Sequence, residues 1–163
     1  MSLTNGSDLV YFLTTKFEKR INEIAILDKN TKLESENYFY EILDSFDNSE
    51  KKYSLLQYDL KPSNLMYTDS GLKVVDFDKA SWGETEMDLA KFFWRTAKFD
   101  EKILSNVTSN LKMKVSTQKI KFYLFLHCIG ALAFYETLNN KKKKSYQKHI
   151  IEANIFVNTV IKG

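Results

Sequence analysis

Apolar residues follow the spacing of α-helices over most of the chain. Over residues 8–27 they recur every three or four positions, so a helix here would bury one face. A polar stretch over residues 28–35 predicts the end of that helix, and the pattern resumes over residues 38–46 as a second, shorter helix. Four further helices are predicted at residues 87–98, 101–111, 117–138 and 145–161. The chain is therefore expected to be mainly helical.

The middle of the chain has the shorter pattern of β-strands. Strands are predicted at residues 53–56, 65–67 and 72–77. Between the last two, Thr68-Asp69-Ser70-Gly71 predicts a hairpin with a three-residue loop that ends at Gly71, a residue that tolerates positive φ. In that register Thr68 pairs with Leu72, and Asn64 lies opposite Asp76 on the same face. A small β-hairpin in a mainly helical chain predicts an α+β fold.

The composition is that of a globular protein. Hydrophobic residues make up 44% and charged residues 28% of the 163 residues, which argues against disorder and fibrous architecture. We expect a single domain, residues 1–163, with a helical lead-in at 1–52, the hairpin region at 53–83 and a helical part at 84–163. The formal charge of +3 gives no strong basic stripe, so nucleic acid is not an expected partner. The four lysines at residues 141–144 are interpreted as a solvated loop.

The sequence shows no signal for secretion or membrane insertion. Cys128 is the single cysteine and has no second thiol with which to form an internal disulfide. No secretory signal is recognisable near the N-terminus. Residues 122–135 are mostly apolar, but this run is shorter than the roughly 20 residues that a spanning helix needs, so it predicts a buried helix. A cytoplasmic protein without a membrane partner is expected, and the oligomeric state stays open.

Two acids and an amide recur around the predicted hairpin. Asn64 and Asp76 would offer an amide oxygen and a carboxylate about 5 Å apart, ligands that suit Mg²⁺. Magnesium takes only one or two protein carboxylates and completes its octahedron with water and substrate phosphates. Asp59 would lie in the loop beside that ion, where it could orient a hydroxyl and accept its proton. The pattern predicts phosphoryl transfer.

These residues resemble the catalytic motifs of kinases. Asp59 and Asn64 match the catalytic loop D-x-x-x-x-N, and Asp76-Phe77-Asp78 resembles the D-F-G metal motif. The acidic third residue, followed by Gly83 and Asp88-Leu89-Ala90, resembles the aminoglycoside phosphotransferase and choline kinase family. Within the same loop, Lys61-Pro62 resembles the Asp-Leu-Lys-Pro of serine/threonine protein kinases.

The resemblance implies a fold and an activity. The fold would be the C-terminal lobe of a protein-kinase-like protein, α+β and mainly helical, with the site on its small hairpin. The activity would be ATP-dependent phosphorylation of a hydroxyl on an aminoglycoside, choline, a sugar or a similar small acceptor. Mg²⁺ and ATP are the implied cofactors.

The resemblance also implies a role for each site residue. Asp59 would be the general base, and Lys61 would help to neutralise the transferred phosphoryl group. Asn64 and Asp76 would hold Mg²⁺ and, through it, ATP. Asp88 would be a supporting carboxylate that braces the catalytic loop. The resemblance gives no definite role to Asp78, which could be a second metal ligand, a substrate contact or a solvated strand end.

The sequence departs from the family pattern in two places. Gln57 and Tyr58 stand where the family has His-Gly before the catalytic aspartate. The five glycines are scattered singly, so the sequence contains no Gly-rich loop to cover ATP phosphates, and it lacks the strand lysine of the N-terminal nucleotide lobe. We therefore expect that this chain alone binds nucleotide incompletely and is inactive.

Other interpretations of the same residues remain open. A degenerate kinase lobe could serve as a binding module without catalysis. Residues 73–78 also resemble the nucleophile motif of haloacid dehalogenase-like phosphatases, in which Asp76 would be phosphorylated. Thr85-Glu86-Met87-Asp88 fits a capping box at a helix start, which would give Asp88 a purely local role.

Overall fold

A computed structural model of the protein describes residues 6–46 and 53–162. These residues form six α-helices, four short strands and a 3-10 helix at Pro62–Asn64, which confirms a mainly helical α+β chain. In chain order the elements are α1 (Gly6–Glu23), α2 (Lys29–Phe46), β1 (Tyr53–Leu56), β2 (Leu65–Thr68), β3 (Gly71–Val74), β4 (Ser81–Glu84), α3 (Thr85–Arg95), α4 (Glu101–Ser109), α5 (Thr117–Glu136) and α6 (Asn140–Val160).

The described residues divide into two compact units. The first comprises residues 53–124, with all four strands, α3, α4 and the start of α5. The second comprises residues 6–46 and 125–162, with α1, α2, the rest of α5 and α6. The predicted single domain and its division into three segments stay a prediction.

Stacked aromatic rings form the core of the second unit. The Phe17 and Phe39 rings lie 4.1 Å apart and nearly parallel, and Phe125 packs against Phe17 at 5.9 Å between ring centroids. All three side chains are buried, as offset ring pairs in a core usually are. This packing holds α1 and α2 against the second part of α5.

Helix α2 starts earlier than its apolar residues indicate. It begins at Lys29, and the Asp28 carboxylate caps it by accepting a hydrogen bond from Thr31 N at 2.7 Å. Thr31 and Ser35 are buried in line with Phe39, at helical spacing. The prediction of a polar break over residues 28–35 is therefore wrong. Residues 29–35 form the first part of α2, and the positions that this part buries are occupied by polar residues instead of apolar ones. With 18 residues, α2 is as long as α1.

The run of four lysines belongs to α6. The helix begins at Asn140, and the Asn139 side chain caps it by accepting a hydrogen bond from Lys142 N at 3.0 Å. The prediction of a loop at residues 141–144 is therefore wrong. The Lys143 ammonium group donates to Glu136 at 2.8 Å, so one of the four lysines is tied to the end of α5.

The β2–β3 hairpin has a tighter turn than predicted. Thr68 pairs with Gly71 across a two-residue loop, and Gly71 has the predicted positive φ, at 101°. The Thr68 hydroxyl closes this turn by donating to the Gly71 carbonyl at 2.8 Å. The predicted pairing is wrong by one residue, because Gly71 is part of the strand. Asn64 therefore bonds to Val75, through Val75 N and Asn64 O at 3.0 Å, instead of lying opposite Asp76.

Strand β4 was not predicted from the sequence. It pairs antiparallel with β1 in a second two-stranded sheet, where Ser54 lies opposite Gly83. A Cβ atom on Gly83 would approach Leu56 Cδ1 to 2.7 Å and Met87 Sδ to 3.1 Å, so glycine allows this close packing. The β1–β4 sheet fixes the position of β1, which leads directly into the loop that carries Asp59.

The apolar run at residues 122–135, which was expected to form a buried helix, lies in α5, and many of its side chains are buried. None of the helices in the described part of the chain is long and apolar enough to cross a membrane.

A buried charged cluster joins β4 to α5 within the first unit. The Lys119 ammonium group donates to both oxygens of Glu84, at 3.0 and 3.2 Å, and the Tyr123 hydroxyl donates to the same carboxylate at 2.7 Å. Burial and the adjacent Glu84 charge raise the pKa of Tyr123 well above its usual value. The three groups satisfy one another, which a buried carboxylate requires.

Lys119→Met should destabilise the protein strongly. The substitution keeps the length of the apolar stem but leaves the buried Glu84 carboxylate without its cation, a loss of about 3–5 kcal/mol. Urea denaturation followed by circular dichroism measures the change. Lys121→Met is the matched control, because Lys121 pairs with Glu101 in a more exposed ion pair and should cost less than about 1 kcal/mol. Equal losses in the two variants would contradict the assignment.

Glu136 ties three segments of the second unit together. Its carboxylate accepts hydrogen bonds from Ala25 N at 3.1 Å and Ile26 N at 3.2 Å, beside the bond from Lys143. The hydrogen bond from Lys143 and the two backbone bonds hold the pKa of Glu136 below its usual value of 4.5, although partial burial opposes them.

Glu136→Gln should remove a stabilisation that depends on pH. Because the folded-state pKa is lowered, the carboxylate stabilises the protein above pH 4.5 and loses this effect as the pH falls through the folded-state value. At pH 7 the variant should be about 1 kcal/mol less stable, a figure that allows for solvent screening, and at low pH the two proteins should converge. Urea titrations at several pH values measure this, with the exposed Glu23→Gln as the control. A difference that does not change with pH would contradict it.

Candidate active site

The loop between β1 and β2 carries Asp59. The chain reverses at Tyr58, whose φ is 68°, an uncommon value for a residue other than glycine. The Gln57 side chain then accepts a hydrogen bond from Asp59 N at 2.8 Å. Local backbone geometry and this bond help to set the direction in which the chain leaves the reversal, and hence the position of Asp59.

Lysines surround the Asp59 carboxylate. Lys61 Nζ lies 2.6 Å and Lys79 Nζ 3.8 Å from Asp59 Oδ2. Partial burial acts to raise the pKa of Asp59, but the hydrogen bond from Lys61 and the charges of Lys61, Lys91 and Lys79 outweigh it, so the pKa lies below its usual value. Asp59 is therefore an ionised carboxylate at neutral pH.

Asn64 lies at the end of the same loop and is only 4% exposed. Its amide nitrogen donates to the Asp59 carbonyl at 3.0 Å, which fixes the orientation of the side chain. The amide oxygen accepts only a long bond from the Ser63 hydroxyl, at 3.3 Å. This oxygen therefore retains the capacity to bind a cation.

Asp76 follows β3 and has a φ of 64°. A left-handed conformation in a non-glycine residue costs about 1–3 kcal/mol and persists only where the surroundings enforce it. The Asp76 carbonyl accepts a hydrogen bond from Gln57 Nε2 at 2.7 Å, which supplies part of that constraint. The Asp76 residue is exposed, and no hydrogen bond or ion pair from the described residues engages its carboxylate.

Asp78 is separate from these contacts. It lies in the turn closed by the bond from Ala80 N to Phe77 O at 2.9 Å, and it is exposed. Within the described residues it makes no hydrogen bond to Asp59, Asn64 or Asp76. Hydrogen bonds and one ion pair thus connect the other five predicted site residues, directly or through the Asp59 loop, and do not include Asp78.

Asp88 holds the loop from the other side. Its two carboxylate oxygens accept hydrogen bonds from Gln57 N and Tyr58 N, each at 2.8 Å. Burial raises the pKa of Asp88, and the two N–H donors offset only part of that effect. The helix cap is one residue earlier than a capping box requires, at Glu84, and the Asp88 carboxylate bonds to the loop instead. The capping-box interpretation is therefore wrong.

The site residues fit a divalent cation of the magnesium type. Asn64 and Asp76 supply an amide oxygen and a carboxylate in one hydrogen-bonded network, the sparse oxygen set that Mg²⁺ shares with phosphates. No cluster of three or more histidine, cysteine or acidic side chains suited to a metal ion occurs within residues 6–46 and 53–162. A cation here would therefore depend on substrate phosphates for its remaining ligands.

Sequence reasoning missed two residues of this site. Gln57 was treated as the loss of a family histidine, although its side chain contacts both motifs. Lys79 was overlooked because an exposed lysine after an acidic motif is common on protein surfaces. The position of Lys79 directly after Asp76-Phe77-Asp78 could have indicated a role for this lysine. Nothing in the sequence indicates that the Gln57 side chain bonds to both segments.

The fold is similar to part of solved choline kinase and aminoglycoside phosphotransferase structures. A choline kinase, LicA from Streptococcus pneumoniae, is similar to 87% of this chain with a TM-score of 0.59 and 17% identity. LicA in complex with AMP matches 88% of the chain with a TM-score of 0.58 and 18% identity. The GDP complex of wild-type aminoglycoside 2'-phosphotransferase-IIIa matches 99% of it with a TM-score of 0.59 and 13% identity.

These matches concern part of each kinase. The chain spans 55%, 54% and 53% of the three matched structures, about half of each. Searches against protein-family models and against curated protein sequences found no match. At these identities the comparison establishes a shared fold, and the residue roles depend on the geometry of this chain.

Asp88→Asn should loosen the loop that carries Asp59. An asparagine has one oxygen where two N–H groups now bond to a carboxylate, so one donor would face an NH₂ group, at a cost of about 2 kcal/mol. Amide hydrogen exchange should accelerate at Gln57 and Tyr58, and urea denaturation measures the stability.

Asp100→Asn is the matched control for this substitution. Asp100 also accepts two backbone N–H groups, from Lys102 and Ile103, at the start of α4. Asparagine caps helices about as well as aspartate, so stability should change little. Equal effects in the two variants would show that Asp88 does not constrain the loop.

Proposed function

We propose that this chain is the C-terminal catalytic half of an ATP-dependent small-molecule phosphotransferase. The observation that carries the proposal is the single hydrogen-bonded network in which Asn64 contacts Asp59, and Gln57 contacts both Asp59 and Asp76. Phosphoryl transfer needs an aligned acceptor hydroxyl and a cation on the phosphates, and little other chemistry from the protein. The three residues supply the groups for both tasks.

Asp59 would align the acceptor hydroxyl. Its lowered pKa keeps it ionised, which suits a carboxylate that accepts a hydrogen bond from the hydroxyl and then takes its proton as transfer proceeds. Lys61 Nζ lies 2.6 Å from Asp59 Oδ2, and in the proposed reaction it would turn towards the transferred phosphoryl group. Asp88 would hold the loop in position without contacting substrate.

Asn64 and Asp76 would hold magnesium. The cation would neutralise charge on the ATP phosphates, as it does in other phosphotransferases. The bond from the Asn64 amide nitrogen to the Asp59 carbonyl holds the proposed metal ligand beside the backbone of the proposed base. Asp78 would be a further contact to metal or substrate.

The proposed activity requires a second half that binds the nucleotide. Large apolar side chains are exposed along both small sheets and just beyond β3, where a soluble protein normally has few. They are Leu55, Met66, Tyr67, Leu72, Val74, Phe77 and Trp82. A nucleotide-binding half comparable to that of the matched kinases would cover these side chains. The chain alone would then be inactive, and the acceptor would be an aminoglycoside, choline, a sugar or a similar hydroxyl compound.

A binding module without catalysis is the second candidate. The short Asp59–Lys61 ion pair favours it, because a lysine that stays on the carboxylate would block a substrate hydroxyl. The haloacid dehalogenase-like alternative does not fit, since that fold requires a parallel sheet and both sheets within the described residues are antiparallel.

Asp59→Asn in the complete protein should abolish phosphoryl transfer. Loss of the proton acceptor should lower turnover by at least about 100-fold, while the isosteric side chain leaves folding intact. Coupled detection of ADP with a panel of small hydroxyl acceptors measures turnover, and circular dichroism checks the fold. Asp69→Asn is the matched control, since Asp69 is an exposed residue of the hairpin turn and should leave turnover unchanged.

Two outcomes would separate the candidates. Near-normal turnover in Asp59→Asn would remove the kinase assignment. A complete protein that shows no heat of binding with ATP and Mg²⁺ in calorimetry would favour the binding module.

A further inference from the structure

Both the amide nitrogen and the amide oxygen of Gln57 make hydrogen bonds at the centre of the site. The residue is 3% exposed. Its amide oxygen accepts from Asp59 N at 2.8 Å, and its amide nitrogen donates to the carbonyls of Asp76 at 2.7 Å and Val75 at 3.2 Å. One side chain therefore joins the loop that carries the proposed base to the segment that carries the proposed metal ligand.

The bonds of Gln57 act next to the two strained residues of the site. Asp59 N, which bonds to the amide oxygen, directly follows Tyr58, and the Asp76 carbonyl belongs to a residue with positive φ itself. Such conformations persist where neighbouring bonds enforce them. The Gln57 amide thus restrains the chain at both positive-φ residues, whereas Asp88 bonds only at the first of them, to the N–H groups of Gln57 and Tyr58.

The chemistry of these partners selects an amide. The site presents one N–H donor and two carbonyl acceptors at a buried position, and a glutamine offers one oxygen and an NH₂ group. An ionised glutamate has no donor for the two carbonyls, and methionine has neither a strong donor nor a strong acceptor. A neutral histidine offers one donor and one acceptor, so it could replace part of the function.

We infer that Gln57 is a positioning residue that fixes Asp59 relative to Asp76, at the position where the family pattern has histidine. The inference rests on the proposed phosphotransferase activity. Gln57 does not touch substrate in this scheme and acts only through the two segments that it joins. The departure from His-Gly is then compatible with catalysis and is not a sign of a degenerate site.

The test compares Gln57→Met, Gln57→Glu and Gln57→His in the complete protein. Gln57→Met and Gln57→Glu should lower kcat by at least about 30-fold, while KM for the acceptor changes less than threefold, because the helical part that would bind the acceptor is untouched. Gln57→His is assayed at pH 8 to keep the ring neutral. On a logarithmic scale, its kcat should lie at least halfway from that of Gln57→Met back to that of the wild-type protein. Gln118→Met, at an exposed position of α5, is the control and should not change kcat.

A second measurement separates this inference from the proposed function. Amide hydrogen exchange at Asp59 should accelerate at least tenfold in Gln57→Met, while exchange at Val75 N, which bonds to Asn64, stays slow. If wild-type protein transfers no phosphate, the proposed function fails and exchange at Asp59 alone decides whether Gln57 holds the two segments. Unchanged exchange at Asp59, or a Gln57→Met variant that is less stable but has normal kcat, would overturn the inference.

Discussion

The reversal of the chain at Tyr58 is the constraint on which the candidate site depends. An L-residue in a left-handed conformation is unfavourable by itself, so the reversal exists only because other groups stabilise it. Asp88 bonds to the N–H groups on its N-terminal side, and Gln57 bonds to the N–H group that follows. Once the reversal is fixed, Asp59 follows it directly in the chain, and Asn64 is held to the Asp59 carbonyl by a hydrogen bond.

The electrostatics of Asp59 follow from the same arrangement. Partial burial by itself would raise the pKa of the Asp59 carboxylate. Lysines from three separate segments counter this effect, namely Lys61, Lys79 and Lys91. The carboxylate stays charged with lysines close to it, so the site presents both the negative group that would face a hydroxyl and positive groups that suit a phosphate. Because the pKa of Asp59 is lowered, a site of this kind would depend more on where the carboxylate lies than on how strong a base it is.

The sequence predicted the parts of the structure that depend on residue type and spacing. The helices with apolar faces, the hairpin at Gly71 and the position of Asp59 and Asn64 in one loop are of this kind. The start of α2 could not be predicted from hydrophobicity, because Thr31 is a buried position occupied by a polar residue. The pairing of β2 with β3 depends on how the turn between them closes. Because Gly71 belongs to β3 and not to the loop, every residue of β2 has a different partner in β3 from the one predicted. The contacts of Gln57 depend on the direction of a carbonyl group, which no sequence pattern encodes.

The two tryptophans of the chain lie in contrasting environments within the first unit. Trp94 is 2% exposed in the helical core, whereas Trp82 is 57% exposed on β4, directly opposite the exposed Leu55. The chain therefore has an internal reference fluorophore and a second one at the surface of the β1–β4 sheet. Any molecule that covers this sheet would shift the emission of Trp82 to shorter wavelengths and leave that of Trp94 unchanged, so the protein carries its own optical reporter of occupancy.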